Sequence, residues 1–224
     1  QKQYPGNDMS QVRWLGTVGA DYGVIAVAKD YPINTLGGLL QQIKDNPRSI
    51  SIGGGSAVGG WDHLKVLLAA KEYGIYDVKK IKYVSFDGGG DAVTQLLGGK
   101  VQAFTGDLSE AIGFVEAGDI RVLAVLSPDR IPGKFSSMPT AREQGINVIG
   151  ANWRGFYTPG KMSDDAYNYW AGAVKKVYDS SQWKKTMASS GLAPLDLTGK
   201  AFQSFVSKSV SEIETLSKEI GLIK

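Results

Sequence analysis

The chain has 224 residues, with 29 glycines, 8 prolines, no cysteine and one histidine, and its 25 basic against 22 acidic side chains leave a net charge of +3. That length, with 42% hydrophobic residues, supports one large domain or two small lobes and is incompatible with a disordered chain or a stapled miniprotein. Disulfides, thiol nucleophiles, thiolate metal sites and a three-histidine zinc centre are excluded, and the interspersed charges argue against nucleic-acid binding. No apolar run reaches the ~18 residues of a membrane-spanning helix. The chain opens at Gln1 without a charged segment followed by an apolar one, and without an initiator methionine, so a processed or truncated product is expected. The lack of cysteine fits an oxidising compartment.

Taken in order, Val12–Leu15 and Val24–Ala28 read as two short strands, and a helix is predicted from Leu36 to Lys44, capped by Thr35 and closed by Pro47. Ile50–Ile52 leads through Gly53–Gly60 into a helix from Trp61 to Tyr73, with Leu64, Leu67 and Leu68 on one face. The strand, loop, helix pattern recurs as Ile81–Ser85, Gly88–Gly90 and a helix through Ala92, Leu96 and Leu97. It recurs again as Val101–Phe104 followed by Ser109–Ala117, and the strand Val122–Leu126 completes an alternating β/α run. Ser127–Ser137 reads as a linker, rich in Pro, Gly, Ser and charge. Beyond it come a short helix from Thr140 to Gln144 ended by Gly145, a strand within Val148–Tyr157, and a helix capped by Ser163 and running through Val177. Helices at Gln182–Ser189 and Lys200–Glu219 follow, the last with Phe202, Phe205, Val206, Val210, Ile213 and Leu216 on its apolar side.

The glycine tracts mark the C-terminal edge of a parallel sheet, where open α/β folds take ligands. A glycine-rich turn at a helix N-terminus lets backbone N–H groups converge on an anion, and two such turns could hold two carboxylate oxygens. The alternative is that each tract is a tight strand-to-helix turn. Neither tract carries a Walker Gly-Lys-Ser/Thr ending or a complete dinucleotide fingerprint, which argues against a nucleotide. His63, in the first turn after the loop, could donate as a neutral imidazole to a carboxylate, or cap or pack beside Trp61. Asp107 could accept from a ligand hydroxyl or amine, or cap the following helix. Trp153 belongs either to a core strand entering the Thr158-Pro159-Gly160 turn or, with Arg154, to a cleft. Trp170 and Tyr178 read as packing groups on their helix.

Several motifs stand in one order along the chain: Asp45-Asn46-Pro47 before Ile50–Gly55, Ser85–Gly90, Leu96–Val101, Ser109-Glu110-Ala111, and Glu116–Val125. Pro139-Thr140, Glu143-Gln144-Gly145, Trp153-Arg154-Gly155 and Thr158-Pro159-Gly160 continue the series. Together they resemble the periplasmic solute-binding receptors of the tripartite tricarboxylate transporters, including the Bordetella-type uptake receptors, over essentially the whole chain. The resemblance implies an α/β, periplasmic-binding-protein-like type II fold with two lobes. Residues 1–21 would be a remnant of the first lobe, 22–125 the second α/β lobe, and 126–224 the return connection and C-terminal part of the first. The match begins after the family's usual first strand and ligand loop, so the first lobe is expected to be N-terminally truncated and the chain to hold its solute poorly.

The resemblance also implies a periplasmic, non-catalytic receptor without cofactor or metal, whose partners are a small organic carboxylate and integral membrane permease subunits. The expected ligand-binding residues are Gly54, Gly55, Ser56, Ala57, His63, Ser85, Gly88, Gly89, Asp107 and Trp153. Asp87 at the rim and the bulky Trp61 beside the loop depart from the pattern, leaving a smaller dicarboxylate, an aromatic carboxylate or an amine-bearing ligand open beside citrate. Two other readings are an α/β enzyme using His63 and Asp107 on an anionic substrate, and an extracytoplasmic ligand sensor.

Overall fold

The computed structural model describes residues 9–219, 221 and 223. Residues 1–8 of the expected first-lobe remnant, and 220, 222 and 224 at the other end, lie outside the described residues. The chain divides into two compact units, one comprising Asp21–Asn152 with Ser190–Leu192, the other comprising residues up to Ala20, Trp153–Ser189 and the chain from Ala193 onward.

The unit that begins at Asp21 is built on strands β1 (Val12–Ala28, second half), β2 (Ser51–Gly54), β3 (Lys82–Ser85), β4 (Ala103–Asp107) and β5 (Ile120–Val125), in the order β3-β2-β4-β1-β5. β2 pairs parallel with β3 and β4, whereas β1 runs antiparallel to β4 and β5. Four helices alternate with these strands: α1 (Leu36–Asp45), α2 (Trp61–Glu72), α3 (Gly89–Leu97) and α4 (Leu108–Ala117). The Thr35 hydroxyl accepts from the Gly38 amide at 3.0 Å and starts α1 as its position before an amphipathic run predicts. Gly118, at φ 75°, ends α4 in the left-handed conformation that glycine adopts without a Cβ penalty. Val24, Ala26, Val93, Leu96, Phe104, Leu108 and Val125 form the core of this unit.

Two expectations fail here. The strands expected at Val12–Leu15 and Val24–Ala28 are one 17-residue strand, β1. The intervening glycines and polar residues break the apolar alternation, yet each polar group is answered by tertiary partners: Thr17 Oγ1 donates to Leu195 O at 2.6 Å, and Asp21 accepts from the Ser109 hydroxyl and amide. The expected linker Ser127–Ser137 instead delivers Ile131 and Phe135 to the core, along with the adjacent Met138, around a 3-10 turn at Gly133–Phe135. Its Pro and Gly content marks that turn.

In the other unit the first half of β1 pairs with β6 (Ala151–Pro159). The helices are α5 (Asp164–Asp179), α6 (Ser181–Ser189) and α7 (Gly199–Glu219), and β7 (Leu192–Ala193) also pairs with β1. Ser163 caps α5 through the Ala166 amide, as its sequence position predicts. Leu15, Val18 and Val174 are buried against Tyr167, Ala171 and Trp183. Of the apolar side expected for α7, Phe202, Val206 and Leu216 are buried while Val210 and Ile213 are exposed; on α5, Tyr178 packs inward but Trp170 is 51% exposed.

Phe104, fully buried at the centre of the Asp21–Asn152 core, gives a direct measure of that packing. Phe104→Ala is expected to lower the free energy of urea unfolding by about 3–5 kcal/mol.

Candidate functional site

β2, β3 and β4 are parallel, so their C-terminal ends and the turns that follow lie along one edge of the sheet. The turn after β2 meets the turn after β3. Gly54 O accepts from the Phe86 amide at 2.9 Å, and a Cβ on Gly55 would fall 2.6 Å from both the Gly88 carbonyl carbon and the Gly89 nitrogen. Only a residue without a side chain allows this backbone contact, which is why glycine stands at 55.

The loop from Gly55 to Gly60 is held largely by its own polar groups. Ser56 Oγ accepts from the Asp62 amide at 3.0 Å and thus caps the N-terminus of α2 in place of Gly60, which has no side chain to do so. The Ser56 carbonyl accepts from the Tyr83 hydroxyl at 2.7 Å and from Ser85 Oγ at 2.9 Å, tying the loop to β3. The Gly60 amide donates to Ala57 O at 2.7 Å, and the Ala57 residue itself is exposed.

His63 is buried and its ring stacks on Tyr83 with centroids 4.5 Å apart. Its Nδ1 accepts from the Gly59 amide at 3.0 Å, so the ring is neutral with its proton on Nε2. Burial pushes the His63 pKa below its ordinary value of 6.5, and burial likewise pushes Tyr83 up to about 12.

The edge after β4 is carboxylate-rich and internally bonded. Asp107 caps α4 in a capping box with Glu110, whose Oε2 accepts from the Asp107 amide at 3.0 Å. Glu110 Oε1 accepts from the Gly89 amide at 3.3 Å, so the first turn of α3 already faces an anion supplied by the chain. Asp107 is 3% exposed; it pairs with Lys65 at 2.8 Å and accepts from Asn152. Gly88 is the N-cap residue of α3 and its carbonyl accepts from Ala92.

The structure therefore brings Gly54, Gly55, Ser56, Ala57, His63, Ser85, Gly88, Gly89 and Asp107 together within one unit. Trp153 belongs to the other unit, where it packs edge-on against Trp14 at 5.9 Å and Phe202 at 5.2 Å. Sequence reasoning placed Asp62 at the rim beside Asp87 but missed three residues of this edge: Tyr83, which anchors the loop; Glu110; and Lys65, which pairs with Asp62 at 2.9 Å one helical turn away on α2. The Asp107-x-x-Glu110 spacing and the three-residue step from Asp62 to Lys65 were the available signals. Among the described residues no group of three or more His, Cys, Asp or Glu could hold a metal ion, and no helix is long and apolar enough to cross a membrane.

A family model described as "Tripartite tricarboxylate transporter family receptor" matches residues 5–222. A "UPF0065 protein in gbd 5'region" from Cupriavidus necator is 23% identical over 220 residues, which cover 98% of this chain and 64% of that protein. The chain thus spans less than two thirds of that curated relative. Among solved structures, R. palustris Rpa4515 with adipate superposes with a TM-score of 0.86 at 23% identity, over 98% of this chain and 72% of that one. The periplasmic binding protein BugD superposes with a TM-score of 0.83 at 21% identity, over 98% of this chain and 73% of that one. These likenesses show a periplasmic-binding-protein-like α/β fold with two domains.

Two outcomes follow from this geometry. Gly55→Ala is expected to destabilise the protein by about 1–3 kcal/mol, because backbone rather than a flexible side chain must move; chemical denaturation checks it. His63 has a depressed folded-state pKa, so its contribution to stability is fully present above the unfolded value of 6.5 and is lost as pH falls through the folded one. Urea midpoints measured from about pH 7.5 to about pH 5.5 should drop more for the wild type than for His63→Gln.

Proposed function

The chain belongs to the tripartite tricarboxylate transporter family of receptors, and on that premise we propose that it is a non-catalytic, extracytoplasmic binding protein for a carboxylated organic solute. Its solute would pass to the membrane permease of such a transporter, and its place would be the periplasm. The unit of Asp21–Asn152 would be the second lobe, with the type II topology supported by antiparallel β1 lying between β4 and β5.

The observation that carries the reading is the contact between the two glycine turns at the C-terminal edge of three parallel strands. There, main-chain amides and the His63 Nε2–H are the donors suited to a carboxylate. Adipate, present in the Rpa4515 structure, sets the chemical class of the first probe. A catalytic role for His63 and Asp107 lacks support: His63 Nδ1 is engaged by the loop it follows, and Asp107 is committed to Lys65, Asn152 and α4.

NMR titration of the chain with succinate, adipate and citrate, and with the neutral diamide of adipic acid, tests the proposal even where affinity is weak. At least one carboxylate should shift the amide resonances of Gly55–Gly60 and Asp87–Gly90 saturably, the diamide should not, and the solute spectrum should stay unchanged with time. Shifts that ignore the carboxylates, fall elsewhere, or accompany conversion of the solute would sink it.

A further inference from the structure

Lys65 is among the largest fully buried side chains of the described residues, and the proposed binding chemistry does not use it. Its ammonium donates to Gly106 O at 2.9 Å and pairs with Asp62 at 2.9 Å and Asp107 at 2.8 Å. Its stem runs between two glycines. A Cβ on Gly23 would lie 2.4 Å from Lys65 Cδ, and one on Gly150 would lie 3.1 Å from Cδ and Cγ, while the Gly23 amide donates to Gly150 O at 2.8 Å. One side chain thereby joins four places: the first turn of α2, the junction of β4 with α4, β1 at Gly23, and the segment before β6 at Gly150.

The first of these is the one that matters for the glycine turn. Asp62, held by Lys65, is the residue whose amide is capped by Ser56 Oγ, and the carbonyl of Asp62 accepts from the buried Thr105 hydroxyl. The Ser56 carbonyl in turn carries the Tyr83 and Ser85 bonds. The path from the ammonium to the loop is thus one ion pair, one backbone step and one hydrogen bond.

We propose that Lys65 is a positioning residue that keeps the Gly55–Gly60 turn in its binding shape before any solute arrives. The inference rests on reading that turn as solute-binding. Its claim is about the shape of the loop, though, and can be tested without a solute. A buried ion pair stripped of one partner destabilises a protein whatever its role, whereas a fully neutral replacement often restores stability. The neutral variant Asp62→Asn/Lys65→Met/Asp107→Asn therefore separates the two roles, since asparagine still caps α4 at 107.

The experiment is amide hydrogen exchange by NMR at Gly59, Gly60 and Asp62, whose N–H groups close the loop's own bonds, with the amides of α1 as reference. The triple variant is expected to match wild-type exchange in α1 while the three loop amides exchange about tenfold faster. Gly23→Ala is the second variant. It keeps every charge but displaces the lysine stem, and the same local acceleration is expected. Loop exchange at the wild-type rate in a folded triple variant overturns the proposal, and so does loop exchange at the wild-type rate in Gly23→Ala. Should carboxylates fail to bind in the titration above while the loop amides accelerate here, the positioning role stands and only the solute reading falls.

Discussion

The edge of the sheet that carries the glycine turns is organised around one buried cation. An ammonium out of water costs several kcal/mol unless oxygens replace its hydration, so wherever Lys65 sits, anions and carbonyls must be brought to it. Asp62, Asp107 and Gly106 O meet that demand: Asp62 comes from the first turn of α2, and Gly106 and Asp107 are consecutive residues at the end of β4. The requirement reaches into the backbone as well: glycine stands at 23 and 150 because the lysine stem occupies the space that a side chain would need. The burial of one side chain thus fixes the identity of glycines 42 and 85 positions away in sequence.

That arrangement changes what the glycine turns can offer. A helix N-terminus attracts an anion because its first amides lack acceptors. At α3 one of those amides is taken by Glu110, and at α2 the Asp62 amide is taken by Ser56 Oγ. The chain has thus spent part of each terminus on its own order. What remains for a solute on the proposed reading is a smaller set of donors in a stiffer frame, which favours recognition by shape and a few hydrogen bonds over bulk charge attraction. The exposed Asp87 and Asp91 beside this edge work in the same direction, since they oppose a highly charged anion.

Much of the Asp21–Asn152 unit was legible in the sequence because its signals are local. Strand runs, glycine turns and amphipathic helices fall within windows of about ten residues, and Thr35 and Gly145 mark their helix ends through side-chain or φ preferences that act within three residues. The middle of β1 was not legible: Thr17 finds its partners at Leu195 and Leu197, and Asp21 at Ser109. Nor was Lys65, which by composition reads as a solvated helix residue and is buried only because Gly23, Gly106, Asp107 and Gly150 converge on it. Both of the alternatives weighed for Asp107 assumed a group facing outward or along its helix; its ion pair is visible only once α2 and β4 are packed.

The same distinction bears on how a family tolerates divergence. A superposition at TM-score 0.86 with 23% identity means that backbone path persists while most side chains change. Recognition through main-chain amides at glycine turns is compatible with that drift, because a donor that belongs to the backbone survives any substitution that leaves φ and ψ in place. On the proposed reading, the constraint then falls on the groups that hold the turn and not on those that would touch the solute. In this chain those are Ser56, Tyr83, Glu110 and the Lys65 cluster, all bonded to loop backbone or to the first turn of a helix. On the proposed reading, a receptor built this way keeps its binding chemistry as long as groups of equal reach hold the turn, so Ser56, Tyr83, Glu110 and Lys65 carry the shape of the site.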